Sequence, residues 1–125
     1  MSENPDQRRL VVTLGASLTE AERCHQAITV AVTALASGAE VSVWLFGDAV
    51  RLAVPETAAT IALDHAPNLA DLLDRVLDGG TLTVCTQCAT RRGLTPADLL
   101  PGVRIAGSTA QVEEILAPHT QALVY

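Results

Sequence analysis

The sequence predicts an α/β fold: one doubly wound, five-stranded parallel sheet in the flavodoxin-like order 2-1-3-4-5, with helices on both faces. Three observations lead there. Short apolar runs of strand character alternate with longer stretches whose apolar residues recur at helical spacing. Glycine and proline signals separate those stretches. At 125 residues and 49% hydrophobic, the chain can fill one core but not two, so residues 1–125 are expected to form a single domain.

The polar start, residues 1–7, is expected to be disordered. Arg9 to Leu14 reads as a buried strand, and Gly15 turns the chain. Ser17 and Glu20 have the spacing of a capping box and predict a helix running to about Ala36. Its apolar stripe is Cys24, Ala27, Ile28, Ala31, Val32 and Leu35, and Gly38 stops it. Glu40 to Phe46 is a second strand. Residues 47–67 show no dominant period, so no element is assigned to them.

Asn68 predicts the cap of a helix with Leu69, Leu72, Leu73, Val76 and Leu77 on its inner face. Asp78-Gly79-Gly80 closes it ahead of a third strand, Thr81 to Val84. Cys85 to Arg92 suits two helical turns stopped by Gly93. Thr95-Pro96 looks like a further helix start. A fourth strand spans Val103 to Ala106. Ser108 with Gln111 predicts the cap of a last helix, Pro118 ends it, and Gln121 to Val124 is the fifth strand.

Composition narrows the function. Trp44, Phe46 and Tyr125 are the only aromatic residues, which leaves no platform for stacking nucleobases. A net charge of −6 opposes direct nucleic-acid binding, since phosphate contacts need a basic surface. No apolar run reaches the length of a membrane span, and the polar N-terminus is unlike a signal peptide. The expected setting is cytoplasmic, without membrane partners. Three cysteines there argue against a disulfide scaffold and leave packing, metal binding or chemistry.

In the expected strand order, the Gly15–Leu18 loop and Cys85 flank the crevice at the strands' carboxyl ends. Gly15, Ser17, Thr86 and Gln87 are therefore candidate substrate contacts. Cys85 ends a strand where a helix begins, and the unpaired backbone N–H groups there favour thiolate, the nucleophilic form. Arg91 and Arg92 add positive charge that suits an anionic substrate. The competing reading of Cys85 is a small buried hydrophobe. Cys88 completes a Cys-x-x-Cys pair, which also fits a dithiol redox centre. Zinc is the weaker alternative: a structural site takes four ligands, and His25, His65 and His119 are scattered. No metal or other cofactor is expected. Cys24 lies on a core stripe, and Asp48 reads equally as a site residue or a turn residue after Gly47.

Several segments together resemble the DsrE/DsrF-like proteins, which include TusD-type sulfur-relay subunits. Leu10-Val-Val-Thr-Leu-Gly15 is similar to that family's first strand and turn, and Glu40 to Val50 to its second strand and following element. The most specific segment is Thr83-Val-Cys85-Thr-Gln-Cys88-Ala-Thr-Arg91-Arg92-Gly93-Leu94, followed by a similar Asp98-Leu-Leu-Pro-Gly-Val103. Gln121-Ala-Leu-Val-Tyr125 resembles the last strand. The resemblance implies that Cys85 accepts a persulfide and passes its outer sulfur on, with Arg92-Gly93 as structural support and Cys88 as a resolving thiol. It also implies a homotrimer or homohexamer, with sulfur donor and acceptor proteins as partners. Two other functions stand beside it: a dithiol–disulfide redox protein using Cys85 and Cys88, and a non-catalytic oligomeric module that binds a small anion.

Overall fold

The computed structural model describes residues 6–125. Of the stretch expected to be disordered, residues 1–5 lie outside the described residues, and Gln7 donates a side-chain hydrogen bond to the Gly38 carbonyl at 2.8 Å. The strands are β1 (Arg9–Leu14), β2 (Glu40–Leu45), β3 (Thr81–Cys85), β4 (Arg104–Ala106) and β5 (Thr120–Val124). The α-helices are α1 (Ala21–Ala36), α2 (Leu69–Gly79), α3 (Thr86–Arg91) and α4 (Ser108–Ile115). Residues 47–67, unassigned from sequence, contain two 3-10 segments, Gly47–Ala53 and Ala58–Thr60. In the first, Ala49, Val50, Leu52 and Ala53 are fully buried.

All strand pairings are parallel, as expected. Their order is β4-β3-β2-β1-β5 rather than 2-1-3-4-5. The first three crossovers all step the same way from β1, and only the connection through α4 returns to pair β5 with the other side of β1. Right-handed crossovers that step in opposite directions place their helices on opposite faces. Helices therefore cover both faces, but the winding reverses between β1 and β5. Cys85 ends a strand one place in from the edge, not the middle one. The local sequence encodes strands and helices but not the direction of each crossover.

The strand period of two then sorts the side chains. Val12 and Leu14 on β1, Val43 and Leu45 on β2, and Leu82 and Val84 on β3 stand in register and share one face. All are fully buried in the core with Cys24, Ala27, Ile28 and Ala31 of α1 and Leu69, Leu72, Leu73 and Val76 of α2. The opposite face carries Thr13, Ser42, Trp44 and Thr83 beneath α4, with which it makes polar contacts.

Most helix ends follow their sequence signals. Asn68 accepts a hydrogen bond from the Ala70 N–H at 2.9 Å. Gly38 and Gly93 take positive φ after α1 and α3, and Thr95 and Asp98 cap the 3-10 turn Pro96–Asp98. Two caps differ. Glu20, not Ser17, holds the N-cap position of α1. The Ser17 N–H instead bonds the Glu20 carboxylate, while Ser17 Oγ accepts from the Thr19 N–H, so the pair closes a turn ahead of the helix. Gly107, not Ser108, is the N-cap of α4, and Gln111 spends its amide on Thr13 Oγ1 at 3.0 Å.

Candidate functional site

β3 runs one residue further than its apolar run suggested, so Cys85 is both the last strand residue and the N-cap of α3. Its extended backbone, φ −63° and ψ 127°, turns the chain from strand into helix. Cys88 follows at the third helical position, the spacing that brings two side chains within reach at a helix start. All three thiols are free. Cys85 is 5% exposed and Cys88 8%, so both lie just beneath the surface.

The first 3-10 segment forms the adjoining wall. β2 lies beside β3, and Gly47 follows its end with a φ of +56°. The Gly47 backbone and the Cys85 thiol are neighbours of the Cys88 sulfur that favour its charged form. Burial opposes the Cys88 thiolate, but these two neighbours and the charges of Arg91 and Arg92 outweigh it. The Cys88 thiol is thereby held below its ordinary value. In Cys24 the balance runs the other way. Burial, then the nearby Glu20 carboxylate, push its thiol up, in keeping with a core role.

Asp48 fastens the two walls together. Arg92 Nε donates to Asp48 Oδ1 at 2.9 Å, and Arg92 Nη1 donates to the Cys88 carbonyl at 3.1 Å. Arg51 approaches the same carboxylate at 3.8 Å. Arg92 thus braces the end of α3 against the 3-10 segment. Thr86 and Gln87 are exposed beside Cys85, and Arg91 is exposed further along α3.

The structure brings together Cys85, Cys88, Arg91 and Arg92, with Thr86 and Gln87 at their rim. Gly15 lies against the same 3-10 wall, its carbonyl oxygen 3.9 Å from where a Cβ on Gly47 would stand. β2 intervenes between β1 and β3, which sets those strands about 10 Å apart at ordinary strand spacing. Gly15 also donates to the Tyr125 carbonyl at the β1–β5 switch. Sequence reasoning missed the Gly47 backbone, because a backbone group leaves no trace in residue type. Among the described residues, no group of three or more His, Cys, Asp or Glu side chains could hold a metal ion. No helix among them is long and apolar enough to cross a membrane.

A second polar cluster lies on the α4 face. The Glu114 carboxylate accepts from Ser42 Oγ, from Trp44 Nε1 at 3.1 Å and from the Arg104 guanidinium. Arg104 also donates to Thr83 Oγ1 and sits 5.1 Å over the Trp44 ring. A cavity of about 570 Å³ adjoins this cluster at the amino ends of the strands, lined by Arg9, Glu40, Ser42, Gly80, Arg104 and Glu114 among others. It lies at the far end of the strands from the thiols.

Comparison with known proteins agrees with this architecture. The uncharacterized protein MJ0989 of Methanocaldococcus jannaschii is 34% identical over 86 residues, 68% of this chain and 72% of that one. The uncharacterized protein MK0008 of Methanopyrus kandleri is 34% identical over 86 residues, 68% of each chain. Among solved structures, the YchN protein of E. coli superposes with a TM-score of 0.79 at 16% identity, covering 95% of this chain and all of its own. MTH1491 of Methanobacterium thermoautotrophicum, a protein of unknown function, gives 0.74 at 13% identity with the same coverage. These two likenesses concern the fold. The DsrE/DsrF-like family model matches residues 9–119, and the chain belongs to that family.

Proposed function

We propose that this protein is a sulfur carrier in which Cys85 takes up and hands on the outer sulfur of a persulfide. The observation that carries the reading is the paired thiols at the β3–α3 junction, set in the segment that most resembles sulfur-relay members of the family. The Cys85 thiol lies three residues before Cys88, whose thiolate is favoured by that thiol, by the Gly47 backbone and by Arg91 and Arg92. Cys88 therefore takes the Cys85 proton as Cys85 attacks the outer sulfur of a donor R–S–SH. A bond forms between Cys85 and that sulfur, the donor S–S bond breaks, and the donor thiolate leaves with the electron pair. Delivery repeats the step in reverse sense on an acceptor thiolate, with no net oxidation. Arg91 supplies positive charge for the anionic persulfide, and Thr86, Gln87, Gly15 and Ser17 are the proposed substrate-side contacts. Arg92 serves by position, through Asp48 and the Cys88 carbonyl.

This chemistry needs reduced thiols, which a cytoplasmic setting maintains. Donor and acceptor proteins are its partners, and the chain is proposed to self-associate as a trimer or hexamer and to act as one domain without metal, nucleic acid or membrane. The pairing of two free thiols at one helix start also favours a second reading, a dithiol that cycles through a Cys85–Cys88 disulfide. Treatment with a persulfide donor followed by mass spectrometry tests both. A carrier gains one sulfur atom on Cys85; Cys85→Ser abolishes that gain and Cys24→Ser leaves it intact. Cys88→Ser slows loading but still yields the persulfide. Absence of added sulfur on Cys85, with a Cys85–Cys88 disulfide formed instead, would overturn the carrier and establish the redox reading.

A further inference from the structure

The amino-terminal half of the sheet carries charged groups on the α4 face that the thiol site does not use. Arg9 stands opposite Glu40, Ser42 opposite Thr81, and Thr83 opposite Arg104. By strand alternation these six side chains share one face. The cavity of about 570 Å³ lies over them, within the size range of small-ligand sites. Two ion pairs border it. Arg9 Nε donates to Glu40 Oε2 at 2.8 Å, and Arg104 Nη2 donates to Glu114. All four charged side chains are partly exposed. Neither pair exhausts its groups. Among the described residues, the Arg9 side chain commits only its Nε–H, to Glu40, and Arg104 commits Nε to Thr83 and Nη2 to Glu114. The two pairs converge above β2. Arg104 lies 5.1 Å over the Trp44 ring and Glu114 accepts from Ser42, while Glu40 precedes Ser42 by two residues on that strand. Two strand residues span about 7 Å, which sets the separation of the two charged ends.

We propose that this cavity binds a small zwitterion of dipeptide length, with its carboxylate on Arg9 and its ammonium on Glu114. Arg9 has both terminal nitrogens open and receives the carboxylate as a two-pronged fork. The Glu114 carboxylate, held beside Arg104, receives the ammonium. Charge balance selects the class of ligand. A lone anion would meet Glu40 and Glu114 on a chain of net charge −6, and a lone cation would meet Arg9 and Arg104. A zwitterion pairs with both signs, so neither of its charges is left buried without a partner. Length selects within that class. Two extended residues span about 7 Å, the separation of the two ion pairs, whereas the charges of a free α-amino acid sit on one carbon and cannot reach both. Opening the Arg9–Glu40 pair to admit the ligand costs little, because a partly exposed ion pair contributes only about 0.2–1 kcal/mol. The site lies at the opposite end of the strands from Cys85 and is independent of the thiol chemistry.

Titration of the full chain with alanyl-alanine, followed by amide chemical shifts, tests it. The shifts should saturate at millimolar peptide and centre on Glu40, Ser42, Gly80 and Thr81, which line the cavity. N-acetyl-alanyl-alanine lacks the ammonium and free alanine lacks the length, so each should bind about tenfold more weakly, as for loss of one hydrogen bond to a charged group. Arg9→Gln, a change at a partly exposed position that the fold tolerates, should weaken alanyl-alanine by a similar factor, and so should Glu114→Gln. Absence of saturable shifts with alanyl-alanine would overturn the proposal. So would equal binding of the acetylated peptide or of free alanine, or native affinity in Arg9→Gln.

Discussion

Removing the Glu114 carboxylate should destabilise the fold more than its place on a half-exposed helix suggests. Glu114→Ala deletes the acceptor for Trp44 Nε1, Ser42 Oγ and Arg104 at one stroke. Trp44 is fully buried, so its indole N–H would have no water to turn to. An unsatisfied buried donor costs about 1–3 kcal/mol, and loss of a charge-assisted partner for Arg104 adds to that. The expected loss is about 3 kcal/mol, which for a chain of this size lowers Tm by roughly 12 °C. Glu114→Gln keeps an acceptor but not the charge and should lose about 1 kcal/mol. Burial alone would raise the Glu114 carboxyl, yet Arg104, Ser42 and Trp44 outweigh it and hold it below its ordinary value. A lowered folded value means that the charge-dependent stability is present at neutral pH. It is lost as pH falls from the unfolded value, about 4.3, through the lower folded one. Denaturant unfolding at pH 7 and across the acid range, on native protein and both variants, is the assay. A Glu114→Ala loss under about 0.5 kcal/mol would refute the reasoning. So would a native-minus-Gln difference that stays flat as the pH falls through that window.

Three further outcomes follow from contacts elsewhere. Gly80→Ala should destabilise by about 1–3 kcal/mol in thermal unfolding, because the new Cβ would lie 2.6 Å from the Val41 carbonyl oxygen and β2 must shift to admit it. Leu73→Ala, at a fully buried position on α2, should cost about 2–5 kcal/mol by the same measurement. In alkylation followed by peptide mass mapping, Cys88 should reach its limiting rate at lower pH than Cys24, whose burial and Glu20 neighbour oppose the thiolate. Labelling of Cys24 ahead of Cys88 at neutral pH would contradict the assignment of charge around the two thiols.

How much was legible depended on whether the signal was local. Asn68, Gly38, Gly93 and Thr95 mark helix ends through contacts spanning a few residues, and each does so in the structure. The Cys85–Cys88 spacing likewise survives folding, because strand end and helix start are consecutive in the chain. Strand order is a different kind of information. Whether β3 pairs with β1 or β2 depends on which way each crossover steps, and the residues of a strand do not record it. Residues 47–67 escaped for a related reason. Ala49, Val50, Leu52 and Ala53 are all buried, so a 3-10 segment enclosed on most sides shows no amphipathic period. Glu114 escaped because two of its partners, Ser42 and Trp44, lie about seventy residues away, on β2.

That illegible segment bears directly on the thiols. Cys85 and Cys88 are each less than a tenth exposed, so the donor persulfide proposed above would not reach either sulfur broadside. β3 is held between β2 and β4 by backbone hydrogen bonds, and it fixes Cys85 on the rigid part of the fold. α3 has only six residues, too few to be stable by its own propensity. It is kept in place by Ala89 and Cys88 in the core and by the Arg92 contacts to Asp48 and the Cys88 carbonyl. The Asp48 carboxylate is half-exposed, and an ion pair of that kind contributes about 0.2–1 kcal/mol. The wall in front of Cys85 is therefore fastened far more weakly than the strand behind it. In the carrier proposed above, displacing the start of α3 would draw Cys88 away from Gly47 and uncover Cys85 while the sheet stays intact. The displacement that would admit a donor would also remove the neighbours that favour the Cys88 thiolate. Access and activation would then oppose each other across one turn of helix.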